Sequence, residues 1–317
     1  MTHSPLQVRN ILIPTDFSDC ADHALSHAVD IAERFGATLH ILHVVNELDP
    51  EWYGLSDTQR GASDLREKIR ASAKERLQHR AGEDGRAGEV DTVVSLQLSF
   101  SVSSTIEEYV DQRAIDLVVM GTHGRRAVEH FSTGSVAEKT VRRVSCPVIT
   151  VTEPAPWDAD DDTIQDILAP VDFSDPSKVA LRIAKQFAGL YGSRLHLLFV
   201  SEKRTLPTFS DTGMPGISVI GMDEEIVSNA GKALEQLDAS LGGSAPNTAY
   251  EVREGHVAEQ VIEYAEQRGI EMIVMATRGL TGLDHFLLGS TTERVVRVAS
   301  CPVLTFHADL VLESGEA

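Results

Sequence analysis

The sequence predicts an α/β protein of two tandem doubly wound domains, each a five-stranded parallel sheet sandwiched by helices. Three observations carry this expectation. The chain has 317 residues, enough for roughly two domains of about 150 residues each. It is also one unit written twice. Residues 11–19 read ILIPTDFSD and residues 167–175 read ILAPVDFSD, identical at seven of nine positions. Residues 130–150, HFSTGSVAEKTVRRVSCPVIT, return as 285–305, HFLLGSTTERVVRVASCPVLT, at an offset of 155 or 156. A whole unit is therefore duplicated. Third, within each copy short Val/Ile/Leu runs alternate with helical patterns, the mark of a parallel sheet covered on both faces.

In the first copy Asn10–Pro14 reads as a buried strand. Asp19–Phe35 reads as a helix with Ala24, Ala28, Ile31, Ala32 and Phe35 on one face. Thr38–Val45 is a strand and Asp64–Arg80 a helix; Val90–Leu98 is a strand and Ser103–Arg113 a helix. Asp116–Met120 is a short apolar strand, Gly134–Arg143 a helix and Pro147–Thr152 the last strand. The second copy repeats the order over Asp166–Pro170, Ser177–Tyr191, Arg194–Val200, Asp223–Leu241, Thr248–Arg253, Val257–Arg268, Glu271–Met275, Ser290–Val298 and Pro302–Phe306. Residues 153–163, EPAPWDADDDT, combine two prolines with an acidic run and read as an exposed linker. The domains are thus expected at 1–152 and 164–317. Arg204–Gly221 and its counterpart Asp49–Gly61 read as surface loops, the later one long enough to move.

Composition narrows the function. Lys plus Arg number 28 against 48 Asp plus Glu, a formal charge of -20. That argues against DNA or RNA, whose phosphates need clustered cations, and against an anionic membrane surface. It leaves room for a mononucleotide, which backbone amides can hold. Three cysteines are too few for a disulfide framework. No leader-like start or membrane-length apolar run is present, so a cytoplasmic protein is expected.

The informative residues follow the first and fourth strands. After the first comes Pro14-Thr15-Asp16. After the fourth comes Gly121-Thr122-His123-Gly124, then nine residues, then Gly134-Ser135 opening a helix. In doubly wound folds ligands sit at the carboxyl ends of strands, where strand order reverses. If these two strands flank that point, the segments meet over one crevice. Gly121 and Gly124 would permit a tight turn and close backbone approach. Gly134 and Ser135 would present free amides and a hydroxyl at a helix N-terminus, a site suited to phosphate. Asp16 suits hydrogen bonding to ribose or a base amine. Singly, such glycines are ordinary turn residues; together and repeated they mark a site.

This pattern, GxxGx9G(S/T) after a strand ending Pro-x-Asp, resembles the universal stress protein family, and the resemblance spans both halves. It implies the adenine nucleotide α-hydrolase-like form of the fold and an adenine nucleotide, ATP first, as ligand. By the resemblance Pro14, Thr15 and Asp16 flank base and ribose, and Val44 meets the adenine. Met120, Gly121 and Gly124 line the ribose and phosphate path, while Gly134, Ser135 and Val136 cradle the phosphates. Asp172, Val200, Gly279, Gly289, Ser290 and Thr291 correspond in the second half. There Ala276 replaces Gly121, so the second site is expected to be a variant or weaker one if the backbone must approach ribose closely, and intact if the glycine merely turns. Phe100 stands where the second half has Gly255, and either walls the first pocket or packs in the core. The resemblance also implies an intrachain pseudo-dimer through Pro147–Thr152 and Pro302–Phe306, with further association into a homodimer open. A bound triphosphate ordinarily brings Mg²⁺.

There is no P-loop, no GxGxxG fingerprint and no GxSxG elbow. No evident general base faces a γ-phosphate. Binding is therefore favoured over catalysis. A nucleotide hydrolase or transferase on the same fold, and a nucleotide-free regulatory adaptor, stand as the other readings. His123, Arg125 and Arg126 either touch the γ-phosphate or decorate a solvated loop. His40 and His43 lie three apart on a strand, face opposite sides and cannot share a metal. His130 and His285 read as loop histidines, and Cys146 and Cys301 as small buried residues.

Overall fold

The computed structural model describes residues 6–46, 90–122, 135–152, 164–202, 204–209, 215–220, 224–242, 247–277 and 288–307. The expected helix Asp64–Arg80, the loop Asp49–Gly61 and the linker 153–163 lie outside them. The chain forms two compact units, Gln7–Ala155 and Pro156–Ala317 with Met1–Leu6.

In the first unit β1 (Asn10–Pro14), α1 (Asp19–Phe35), β2 (Thr38–Asn46), β3 (Thr92–Ser99), α2 (Val102–Arg113), β4 (Leu117–Gly121), α3 (Ser135–Arg143) and β5 (Val148–Val151) follow in order. The strands lie β3-β2-β1-β4-β5 and all pair in parallel. Ile11, Leu12 and Ile13 of β1 and Leu117, Val118 and Val119 of β4 are wholly buried, because a central parallel strand is covered on both faces. The edge strand β3 opens with exposed Thr92 and Val93.

Local chemistry sets the helix ends. The Ser18 hydroxyl accepts from the Ala21 amide at 3.2 Å, while Asp19 and Asp22 complement the positive end of α1. Gly36, at φ 64°, ends the helix in the left-handed conformation. Ala24, Ala28, Ile31 and Ala32 form the buried stripe as expected, with Phe35 half-buried at its end.

The second unit repeats the plan with β6 (Asp166–Pro170), α4 (Asp175–Tyr191), β7 (Arg194–Ser201), β8 (Arg204–Phe209), β9 (Pro215–Ile220), α5 (Glu224–Ser240), β10 (Asn247–Glu254), α6 (Val257–Arg268), β11 (Met272–Ala276), α7 (Ser290–Val298) and β12 (Val303–Phe306). Its parallel sheet runs β10-β7-β6-β11-β12. Leu168, Leu198, Val261, Tyr264, Ile273, Val295 and Val303 form one core between this sheet and α6 and α7. The β-strand pleat sends Ile167 and Ala169 to the opposite face, and α4 packs on β6 and β11.

One expectation is corrected. The stretch read as an irregular loop from Arg204 contains an antiparallel hairpin, β8 against β9, with Thr205 opposite Val219 and Pro207 opposite Ile217. Gly and Pro mark the turn, whereas Thr, Ile and Val on either side favour extended pairing.

A buried His–Tyr pair recurs in both units. His40 Nδ1 lies 3.1 Å from Tyr109 Oη, and His196 Nδ1 lies 2.8 Å from Tyr264 Oη. His196 Nε2 also meets Asp166 Oδ1 at 2.8 Å; in the first unit Asn10 stands at the equivalent of Asp166. Burial, aided by the Arg113 guanidinium, pushes the His40 imidazole below its ordinary 6.5. The folded state therefore binds fewer protons at this site than the unfolded chain, and stability falls as pH drops through 6.5. A His40→Gln variant is expected to show a smaller loss of urea midpoint between pH 7.5 and 5.5 than the parent. An equal loss would show that His40 does not drive the slope.

Candidate functional site

Strands β1 and β4 are neighbours, with Ile11 opposite Leu117 and Leu12 opposite Val118. In the second unit β6 and β11 are neighbours in the same way. Strand order reverses between them, so in each copy the Pro-x-Asp loop and the segment opened by Gly121 or Ala276 leave adjacent strand ends. The two strand ends that the expected crevice needs are therefore adjacent.

The first wall is tightly held. The Thr15 amide donates to the Leu42 carbonyl at 2.9 Å, extending the β1–β2 ladder by one residue. Thr15 Oγ1 accepts from the Phe17 amide and Asp16 Oδ1 from the Ser18 amide, each at 3.0 Å. In the second copy the Val171 amide donates to the Leu198 carbonyl, and Asp172 Oδ1 accepts from both the amide and hydroxyl of Ser174. Each aspartate therefore orders the turn into the following helix with one oxygen.

Phe17 and Phe173 were not singled out from the sequence. Both adopt the left-handed conformation, at φ 61° and 65°, a costly backbone for a bulky residue, on the order of 1–3 kcal/mol. Phe17 packs on His43, ring centroids 4.7 Å apart, and His43 Nδ1 donates to the Thr15 carbonyl at 2.7 Å. Phe173 packs on Phe199 at 5.3 Å. Each ring pins the turn that carries the aspartate. The available signal was the unbroken repetition of DFSD in both copies.

Among the remaining predicted residues, Pro14 ends β1 half-buried and Val44 lies buried on β2. Met120 is buried and Gly121 ends β4 half-buried. Val200 is half-buried near the end of β7. Ser135 opens α3, and Val136 behind it is half-buried. Gly124, Gly134, Gly279, His123, Arg125, Arg126, His130 and His285 lie outside the described residues.

The second wall is best seen in the second copy. Gly289 is the N-cap of α7, and its amide donates to the Thr277 carbonyl at 2.9 Å, just beyond β11. The helix start is thus tied to the strand end beside β6. The amide of this cap glycine is therefore engaged. The amides of Ser290 and Thr291 head the helix, where first-turn donors lack intrahelical acceptors. Ser290 is exposed and Thr291 half-exposed. Such an end favours an anion.

Other expectations resolve simply. His40 and His43 engage different partners, as alternate strand faces require. Phe100 is 66% exposed at the end of β3, so it does not pack in the core. A cleft of about 380 Å³, lined by Asp166, Arg194 and Asn247 among others, opens at the amino ends of β6, β7 and β10. That is the opposite end of the strands from the motif. No helix among the described residues is long and apolar enough to cross a membrane.

Cys20, Cys146 and Cys301 are free and buried. Burial, together with Asp116 and Asp111, drives the Cys146 thiol far above its ordinary range. Burial pushes Cys301 up to about 12. The thiolate is the reactive form, so native protein at pH 8 is expected to show no fast-reacting thiol toward an aromatic disulfide reagent, and three after denaturation. A rapid native reaction would contradict this packing.

The sequence model of the universal stress protein family matches residues 7–152 and 163–307. The chain belongs to that family, a stress-response class, with two such domains in tandem. A universal stress protein of Synechocystis is 24% identical over 327 aligned residues, covering 95% of this chain and all of the relative. One from Bacillus subtilis is 31% identical over 143 residues, covering 44% of this chain and 95% of the relative. In structure, a universal stress protein from Archaeoglobus fulgidus superposes with a TM-score of 0.65 at 19% identity, covering 96% of this chain and 99% of that one.

Proposed function

We propose that the chain is a cytoplasmic stress-response protein that binds ATP or a related adenine nucleotide. The observation that supports this most is the pairing of β1 with β4 and of β6 with β11. It puts the Pro-x-Asp turn beside the start of the GxxGx9GS segment, which reads AxxGx9GS in the second copy, at adjacent strand ends. Base and ribose would rest against Pro14, Thr15, Asp16 and Val44. The polyphosphate would follow Met120, Gly121 and Gly124 to the helix start at Gly134, Ser135 and Val136. The second copy would use Asp172, Val200, Gly279, Ser290 and Thr291, with Gly289 supporting the cradle through its bond to Thr277. Main-chain amides supply the attraction, which reconciles an anionic ligand with a chain of charge -20. A triphosphate would carry its own Mg²⁺.

The test is nucleotide released on denaturing extraction, joined to calorimetry with ATP, ADP and AMP. Adenine nucleotide in the extract and saturable binding support the reading. No binding at millimolar nucleotide would replace it with the adaptor. Turnover near about 1 s⁻¹ or faster would replace it with an enzyme, whereas bound ATP that survives for hours fits a binding protein.

A further inference from the structure

We infer that the first glycine of the motif is kept small by helix packing and not by ligand approach, so that Ala276 does not disable the second copy and the chain loads two nucleotides. This rests on the nucleotide reading above and goes beyond it, since that reading left the second site variant or weaker.

Gly121 has no left-handed backbone; the positive-φ glycines among the described residues are Gly36, Gly192, Gly242, Gly255 and Gly269. Any L residue can therefore adopt its conformation. What forbids a side chain is a neighbour. A Cβ added at Gly121 would stand 2.8 Å from Cys20 Sγ and 3.1 Å from both the carbonyl carbon and oxygen of Cys20. Cys20 is 3% exposed in the first turn of α1, and its Sγ donates to the Val151 carbonyl at 3.3 Å. The missing methyl of Gly121 thus points into the packed seam between α1 and the ends of β4 and β5. It does not point out of the strand ends, where a ligand would lie.

The second copy changes both partners. Pro176, in the first turn of α4, replaces Cys20, and Ala276 replaces Gly121. Ala276 holds the same place in its sheet: it pairs with Phe306 as Gly121 pairs with Val151. It is only 8% exposed. Its carbonyl accepts from Thr292 Oγ1 at 3.0 Å, fastening the strand end to α7. Thr277, the next residue, donates its amide to the Phe306 carbonyl at 2.9 Å, as Thr122 does to the Val151 carbonyl at 2.8 Å. The strand-end backbone follows one path in both copies. The second copy thus lacks the thiol at the position from which Cys20 crowds Gly121, and carries a methyl where Gly121 has none.

Calorimetry with ATP on the full chain tests this directly. Two sites per chain are expected, and Ala276→Gly should change neither number nor affinity by more than about twofold. In the first copy Gly121→Ala should weaken one site by about tenfold, through displacement of the strand end. Cys20→Ala combined with Gly121→Ala should restore part of that loss, because the 2.8 Å contact to the thiol is gone while the 3.1 Å contacts to the Cys20 carbonyl remain. Thermal melts of each variant verify folding. A single site that Ala276→Gly converts to two, or a double variant as weak as Gly121→Ala with its melting restored, overturns the inference. Absence of any nucleotide binding by the unmodified chain would instead defeat the nucleotide reading on which it stands.

Discussion

Gly134→Val is expected to empty the first nucleotide site and Gly289→Val the second, each by a factor of about a hundred, while the other site keeps its ligand. The magnitude follows from the contacts at stake. Hydrogen bonds to a charged group contribute about 1.5–3 kcal/mol each, and about 2.8 kcal/mol is a hundredfold in affinity. Gly289 sits at φ -62° and ψ 141° as the cap of α7, a backbone that valine adopts readily. The isopropyl group therefore acts by filling the space before Ser290 and Thr291, not by straining the chain. Its amide can still reach the Thr277 carbonyl, so the helix should stay in place. Extracted nucleotide per chain and calorimetric stoichiometry read the result. If neither variant changes occupancy, the polyphosphate does not lie at these helix starts.

Lys185→Met is expected to cost the second unit about 3 kcal/mol, the lower end of the range for orphaning one member of a buried ion pair. Lys185 Nζ donates to the carbonyls of Asp238 and Gly242 at 2.6 Å each and lies 2.7 Å from Asp238 Oδ1. The lysine thus caps the carboxyl end of α5 from α4. Tyr250 Oη donates to the other oxygen of Asp238 at 2.8 Å, and burial with that bond pushes the tyrosine up to about 12. Removing the ammonium leaves a shielded carboxylate and two helix-end carbonyls without their donor. A fall in melting temperature of roughly 6–12 °C corresponds to that cost in a unit of this size. Lys185→Met with Asp238→Leu should recover part of it, because the uncompensated charge is gone. A shift under a degree in the single variant would mean that water replaces the ammonium there. The first copy has Val29 at the corresponding position, so this clamp belongs to one copy alone.

Much of the fold was legible because its signals are local or internal to the chain. Apolar runs such as Ile11–Ile13 and Leu117–Val119 can only be central strands once helices cover both faces. Repetition then doubled each signal. Asn10–Pro14, Asp19–Phe35, Asp166–Pro170, Val257–Arg268 and Ser290–Val298 have the same bounds in the sequence reading and in the structure. The hairpin β8–β9 was missed because Gly and Pro mark a turn without revealing whether the flanking segments pair.

The candidate site was legible in outline only. The family resemblance named the residues, but adjacency of β1 and β4 is a property of strand order that no local pattern encodes. Nor does a sequence show that Phe17 and Phe173 hold left-handed backbones, that Gly289 spends its amide on Thr277, or that Phe100 stands in solvent.

By itself the amino-acid sequence determined the duplicated α/β plan, which follows from periodicity and self-similarity along the chain, and the segments whose motif carries the family resemblance. Tertiary structure alone decided what each residue faces. Gly121 looks like a residue kept small for a ligand, yet the atom nearest its absent side chain is a sulfur one hundred and one positions earlier, brought there by parallel pairing and helix packing that act only once the chain has folded.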